Sequence, residues 1–143
     1  MEKFTVEMQI RASGTGTKLI VSVDGVEHYS IYPSPDPFTI KINVSVKDES
    51  EHLLEITLAE KTQEHTKVDA NGNILEDILI TVDKVLFDGI DIDQILTKVS
   101  EYHHDHNGTT DPVIDGFYGI LGCNGTAKIK FTSPVYLWLL ENM

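Results

Sequence analysis

The stretch Tyr-His-His-Asp-His-Asn-Gly at positions 102–108 places three of the chain's six histidines within four positions. Neutral imidazole is a common transition-metal ligand and Asp105 adds a carboxylate, so His103, His104 and His106 are the first candidates for holding a ligand. The spacing argues against a metal. On a helix His103 and His104 point about 100° apart, the i, i+4 pairing of helical ligands is absent, and no His-Glu-x-x-His motif occurs. A helix C-terminus accounts for the same residues: polar side chains suit the last carbonyls, and Asn107-Gly108 supplies a left-handed stop. The stretch therefore reads as a helix stop and an exposed connection, better suited to touching a partner than to holding an ion.

Three further groups could do chemistry. Asp69, Asn71 and Asn73 put oxygens on alternate residues, as in the first half of a calcium loop, and with Asp77 downstream this makes Asp69, Asn71 and Asp77 calcium candidates. Gly72 arrives early for that pattern and no bidentate glutamate closes it, whereas Asx residues with glycine also make an ordinary turn. Asp88, Asp91 and Asp93 could coordinate a cation or do acid–base work in a hydrolase, although Asp88-Gly89 also suits a turn and the other two suit a helix cap. Tyr29 and Tyr32 flank a Pro-Ser-Pro-Asp-Pro loop, where aromatic rings could stack on sugar or simply border a rigid connection. Nucleophile motifs are missing: there is no Gly-x-Ser-x-Gly, Cys123 has no histidine close in sequence, and the glycines at 14 and 16 are too few for a phosphate loop. No residue is assigned a catalytic role, and an enzyme is not expected.

Strands must position these residues. Phe4, Val6, Met8, Ile10 and Ala12 alternate with polar neighbours, and Phe38, Ile40, Ile42, Val44 and Val46 repeat the pattern. Asp24-Gly25 makes the tight turn of a hairpin between them. Leu54, Ile56 and Leu58, then Ala127, Ile129 and Phe131, mark further inward faces. About seven strands in one domain spanning 1–143 predict an antiparallel, jelly-roll-like β-sandwich. A helical insertion is expected over about 91–105, where Ile92, Ile95, Leu96, Val99 and Tyr102 fall at helical spacing behind a cap at Asp91 or Asp93. A C-terminal helix is expected over about 133–142, with Ser133 as cap and Pro134 in the first turn. Its apolar run from Val135 to Leu140 is either core or an interface, with Val135, Trp138 and Leu139 as the interface candidates.

Eleven Lys and Arg against 23 Asp and Glu give a formal charge of −12, which opposes nucleic acid and anionic membrane and leaves room for a cation or a basic protein partner. The single cysteine excludes an internal disulfide and reads as a small buried residue. No secretory signal or membrane span is visible, so synthesis in a cytoplasm is expected and the sequons at Asn43, Asn107 and Asn124 carry no weight.

The succession Leu-Ile-Val-Ser-Val-Asp-Gly, His-Leu-Leu-Glu-Ile-Thr-Leu and Leu-Phe-Asp-Gly-Ile-Asp-Ile resembles small calcium-dependent carbohydrate-binding jelly-roll modules. A Val-Asp-Gly hairpin and a His-x-Leu-x-Ile strand recur there, matched here by Val23, Asp24, Gly25, His52, Leu54 and Ile56. These are scaffold positions, and the resemblance implies the fold, glycan binding and calcium without assigning calcium ligands. Most of residues 52–143, notably the closing Asn-Gly-Thr-Ala-Lys-Ile-Lys-Phe run, resembles uncharacterised small proteins of tailed marine bacteriophages, particularly cyanophages. That implies a phage origin. The expected function is a non-enzymatic, carbohydrate-binding-like module of a virion or attachment assembly. A protein-binding phage factor or oligomeric structural protein using the C-terminal helix is the alternative, and a hydrolase using the acidic loops a second one.

Overall fold

A computed structural model describes residues 1–105, 107–108 and 110–143, without the side chain of Gln63. Strand β1 (Glu2–Ala12) is followed by the hairpin of β2 (Lys18–Val23) and β3 (Val26–Ile31), then by the long strands β4 (Phe38–Val46) and β5 (Glu51–Ala59). A separate small hairpin, β6 (Thr66–Val68) and β7 (Ile74–Asp77), precedes β8 (Ile80–Phe87) and the short β9 (Ile90–Asp91). Helix α1 (Asp93–Val99) leads into β10 (Ser100–His104), followed by β11 (Val113–Gly116), β12 (Ile120–Leu121), β13 (Gly125–Thr132) and helix α2 (Val135–Asn142).

The strands pair antiparallel into two main sheets, β12–β8–β1–β4 with β9 on β8, and β11–β10–β13–β5–β2–β3. The chain is a β-sandwich, as the alternation predicts. Each inward set is buried between the sheets: Phe4 to Ala12 of β1, Ile40 to Val46 of β4, Leu54, Ile56 and Leu58 of β5, and Ala127, Ile129 and Phe131 of β13. The turn between β2 and β3 uses positive φ at Asp24 (50°) and Gly25 (80°), the backbone that a two-residue hairpin needs.

Three expectations change. The inserted helix ends at Val99 rather than continuing to 105, because Ser100, Tyr102 and His104 also fit a period of two and are buried in alternation. As β10 the segment pairs with β13 on one side and β11 on the other, and two complete ladders outweigh the extra helical turn. The N-terminus of α1 is Ile92, without a side-chain cap; Asp91 accepts the Asp93 N–H at 2.8 Å and Asp93 accepts the Val85 N–H at 3.2 Å. At α2 the expected Ser133 cap is replaced from a distant segment: both Glu2 carboxylate oxygens accept the Val135 N–H, at 2.9 and 3.2 Å.

The choice of Val135, Trp138 and Leu139 as interface residues also falls. Val135, Trp138 and Leu139 are buried core residues. Trp138 stacks on Phe87 at 5.7 Å between ring centroids and meets Phe131 edge-on at 6.1 Å, closing one end of the sandwich. The outward side chains are instead Tyr136, Leu137 and Leu140.

Candidate functional site

Strand register gathers most of the chemistry-bearing residues at the opposite end of the sandwich. Lys18 pairs with Ala59, Gly125 with Leu58, His104 with Gly125, and Ala12 with Ile80, so these strands all begin or finish at one edge. The segments 13–17, 32–37, 60–79, 122–124 and, among the described residues, 105, 107–108 and 110–112 therefore form a single loop end, the region of a sandwich where ligand sites usually lie.

His103 and His104 reach this end as neighbours on a strand, so their side chains point to opposite faces and the exposed-connection expectation does not hold for them. The His104 side chain is 5% exposed, contacts Asp115 Oδ2 through Nε2 at 2.7 Å, and packs on the Tyr102 ring at 4.8 Å. His103 lies on the other face; its Nε2 is 3.5 Å from Glu101 Oε1 and makes no hydrogen bond. Both line a groove of about 400 Å³ with Asp105, Pro112, Ile114 and Asn124. His106 lies outside the described residues. Beside the groove, an ideal Cβ on Gly125 would come within 2.4 Å of the His103 carbonyl oxygen, so only glycine lets β13 approach β10 there.

Tyr32 is exposed at this end and its phenol donates to Glu60 at 2.7 Å, with the Lys18 ammonium 5.9 Å from the ring centre. The hydrogen bond to Glu60, then burial and the Glu60 charge, hold that phenol above its ordinary pKa. Tyr29, in contrast, is half-buried on β3 and packs against the core.

The Asp69–Asn73 segment is a self-contained turn. Asp69 Oδ1 accepts the Asn71 and Asn73 N–H groups, each at 2.9 Å, and Oδ2 accepts the Asn73 amide at 3.2 Å. These bonds, the Asn73 backbone first, hold the Asp69 carboxyl below its usual pKa. Asp77 stands at the far end of the hairpin, opposite Thr66. Its Oδ1 meets the Lys61 ammonium at 2.6 Å and the Thr66 hydroxyl at 2.7 Å. Burial alone would raise the Asp77 carboxyl, but the bonds from Lys61 and Thr66 and the Lys61 charge outweigh it and the pKa is lowered.

This donor set does not fit calcium, which takes six to eight oxygens at roughly 2.3–2.6 Å. The oxygens of Asp69 are committed to amides, Asn73 offers its nitrogen, and Asp77 already holds a cation. Among the described residues no group of three or more His, Cys, Asp or Glu side chains could hold a metal ion.

Carboxylates near residue 90 are likewise engaged in the backbone: Asp88 Oδ1 accepts the Thr5 N–H at 2.8 Å, and Asp91 and Asp93 bind the amides named above. Burial, with the charges of Asp91 and Asp83 against the Val85 amide, leaves the Asp93 carboxyl above its ordinary pKa. Cys123 is partly exposed, and burial pushes its thiol up.

One constellation escaped sequence reasoning. Asp24 Oδ2 lies 2.7 Å from His52 Nδ1, and His52 Nε2 lies 3.1 Å from Ser133 Oγ, the order of a hydrolytic triad. Its details oppose nucleophile activation. Nε2 also lies 2.9 Å from the Lys47 carbonyl oxygen, a second partner that competes with Ser133 for the same ring nitrogen. Ser133 itself is buried, donates to Lys47 O at 2.7 Å and accepts the Ser50 N–H at 3.1 Å. Asp24 and His52 line the neighbouring groove of about 480 Å³, with Glu51, Lys130 and Trp138, but the serine does not. The trio braces turns; its only sequence signal was the paired Asp24 and His52 of the scaffold motif.

No protein-family model matches the chain. No curated protein matches it by sequence. Among solved structures it is similar to vCBM60 in complex with galactobiose, with a TM-score of 0.53 and 14% identity over 90% of this chain and 97% of that one. It is also similar to the selenomethionine form of vCBM60, from work linking two families of calcium-dependent carbohydrate-binding modules by circular permutation. There the TM-score is 0.54 and the identity 10%, over 88% of this chain and 89% of the other. The likeness is one of fold: both chains are β-sandwiches over nearly their whole length.

Proposed function

We propose that the chain is a non-enzymatic carbohydrate-binding-like module whose ligand surface is the loop end. The observation that carries this is the likeness to a galactobiose-bound module over 90% of the chain. Local chemistry supports it: the groove beside His103 and Asp105 offers polar side chains for sugar hydroxyls, with Pro112 and Ile114 as an apolar wall. Tyr32 adds an exposed ring at the same end, at a distance along the sheet.

Calorimetry with galactobiose, xylo-oligosaccharides and cello-oligosaccharides tests this reading. Binding of one class is expected, weakened about tenfold by His103→Ala and unchanged by Lys130→Ala in the other groove. Silence across a glycan array, with and without calcium, would end the proposal; loss on Lys130→Ala alone would move the site to the opposite end.

Within this reading the module serves a virion or attachment assembly, the setting implied by the phage resemblance, and mass spectrometry of purified particles against infected-cell lysate tests that placement. A protein-binding role is the second reading, supported by the exposed Tyr136, Leu137 and Leu140 on the outer face of α2. A monodisperse monomer that captures no virion protein would remove it.

A further inference from the structure

We propose that the buried Lys61 ammonium is the resident cation of the loop end, holding together loops that a bound divalent ion would otherwise have to bridge, so that order at this end does not depend on calcium. The inference goes beyond the glycan reading and does not rest on it.

The Lys61 side chain is 1% exposed, which a charged lysine tolerates only when its ammonium is matched. Nζ lies 2.6 Å from Asp77 Oδ1 and 2.6 Å from the Gly122 carbonyl. A carboxylate and a backbone carbonyl are the hard oxygen donors that calcium recruits in sandwich loops, and here both face a positive charge carried by the chain itself. A divalent ion at this place would meet that charge at contact distance, with both oxygens already used.

Further bonds, to the Lys61 backbone and to Asp77, join the same loops around the ammonium. Asn124 Oδ1 accepts the Lys61 N–H at 2.8 Å and its amide donates to Lys61 O at 2.7 Å. Asn107 Oδ1 in turn accepts the Asn124 N–H at 2.7 Å, bringing in the β10–β11 loop. Thr66 donates to the Asp77 carboxylate, and Ser13 Oγ donates to the Asp77 carbonyl at 2.8 Å while accepting the Leu79 N–H at 2.8 Å. The segments after β1, β5, β7, β10 and β12 thus converge on one Lys61–Asp77 pair. Removing one partner of a buried pair strands the other charge, whereas removing both is far less damaging.

Thermal melting of the full chain provides the test. Millimolar EDTA and millimolar calcium chloride should give midpoints within about 1 °C of each other, because a ligand with no native-state site shifts nothing. A calcium-dependent rise of several degrees would overturn the proposal. Lys61→Met should lower the midpoint by roughly 10 °C and speed hydrogen exchange in 60–79 and 105–124 ahead of the β1 and β5 core. An unchanged midpoint and unchanged loop exchange would be the contrary result. Should Lys61→Met not fold, Lys61→Met with Asp77→Asn decides: a restored cooperative transition supports the pairing and continued failure contradicts it.

Discussion

His52 ties together parts of the chain that lie far apart. It reaches back 28 residues to Asp24 and forward 81 to Ser133, and packs its ring against Phe131 at 5.4 Å. Because both ring nitrogens are committed and the side chain is 3% exposed, His52→Ala removes a packed ring and strands its partners. The expected loss is about 3 kcal/mol in urea unfolding, with the folded-state spectrum preserved. A loss below about 1 kcal/mol would mean that water replaces the imidazole without penalty. The sequence showed Asp24 and His52 as members of a recurring pattern, but not that they touch: no local rule connects a hairpin turn to the second residue of a later strand. Lys61 gave still less warning, since a lysine in a polar stretch is ordinarily solvated.

At the scale of elements, α2 illustrates how much an apolar run conceals. Six consecutive apolar residues said that the helix had to be covered, and the fold assigns Val135, Trp138 and Leu139 to the core while Tyr136, Leu137 and Leu140 face out. Trp138→Ala should therefore destabilise the monomer by about 3–5 kcal/mol, while Leu140→Glu should stay within about 0.5 kcal/mol of the parent. Thermal melts with size-exclusion chromatography distinguish this from an interface, in which Leu140→Glu would break a complex and Trp138→Ala would leave the fold intact. The misjudged element is β10. Its residues satisfy helical and strand periods at once, and the choice is made by the vacancy between β13 and β11, which no window of sequence contains.

For the molecule as a whole, the sandwich was legible because alternation on β1, β4, β5 and β13 is uninterrupted, whereas the loop end depends on side chains meeting across five connections. Its electrostatics predict the pH range of stability. Asp69 and Asp77 titrate below the ordinary carboxyl value of 3.8 in the folded chain, so the unfolded chain binds their protons more readily. Their contribution is present above 3.8 and is lost as the pH falls below it through their folded values. Tyr102 behaves in the opposite sense. Burial lifts its phenol from 10.0 to about 12, against the hydrogen bond its oxygen accepts from the Cys123 N–H at 3.0 Å, so its contribution is present below pH 10 and fades between 10 and 12. Denaturation midpoints measured across pH should show a plateau with shoulders in those two windows. Asp77→Asn should flatten the acid shoulder, and Tyr102→Phe the alkaline one. A shoulder unchanged by its substitution would assign it to other groups.

The last strand of the chain, β13, lies in the middle of its sheet, between β10 and β5. Chains are made from the N-terminus onward, so during synthesis β5 and β10 emerge long before the strand that separates them. Until Gly125–Thr132 leaves the ribosome, two apolar strands carry unpaired edges, and neither Phe131 nor Trp138 is present to close the core. Folding is therefore a single late event, governed by contacts between distant positions, and slow by the measure of contact order. A chain released before Gly125–Thr132 has been made would be aggregation-prone rather than a shortened version of the domain.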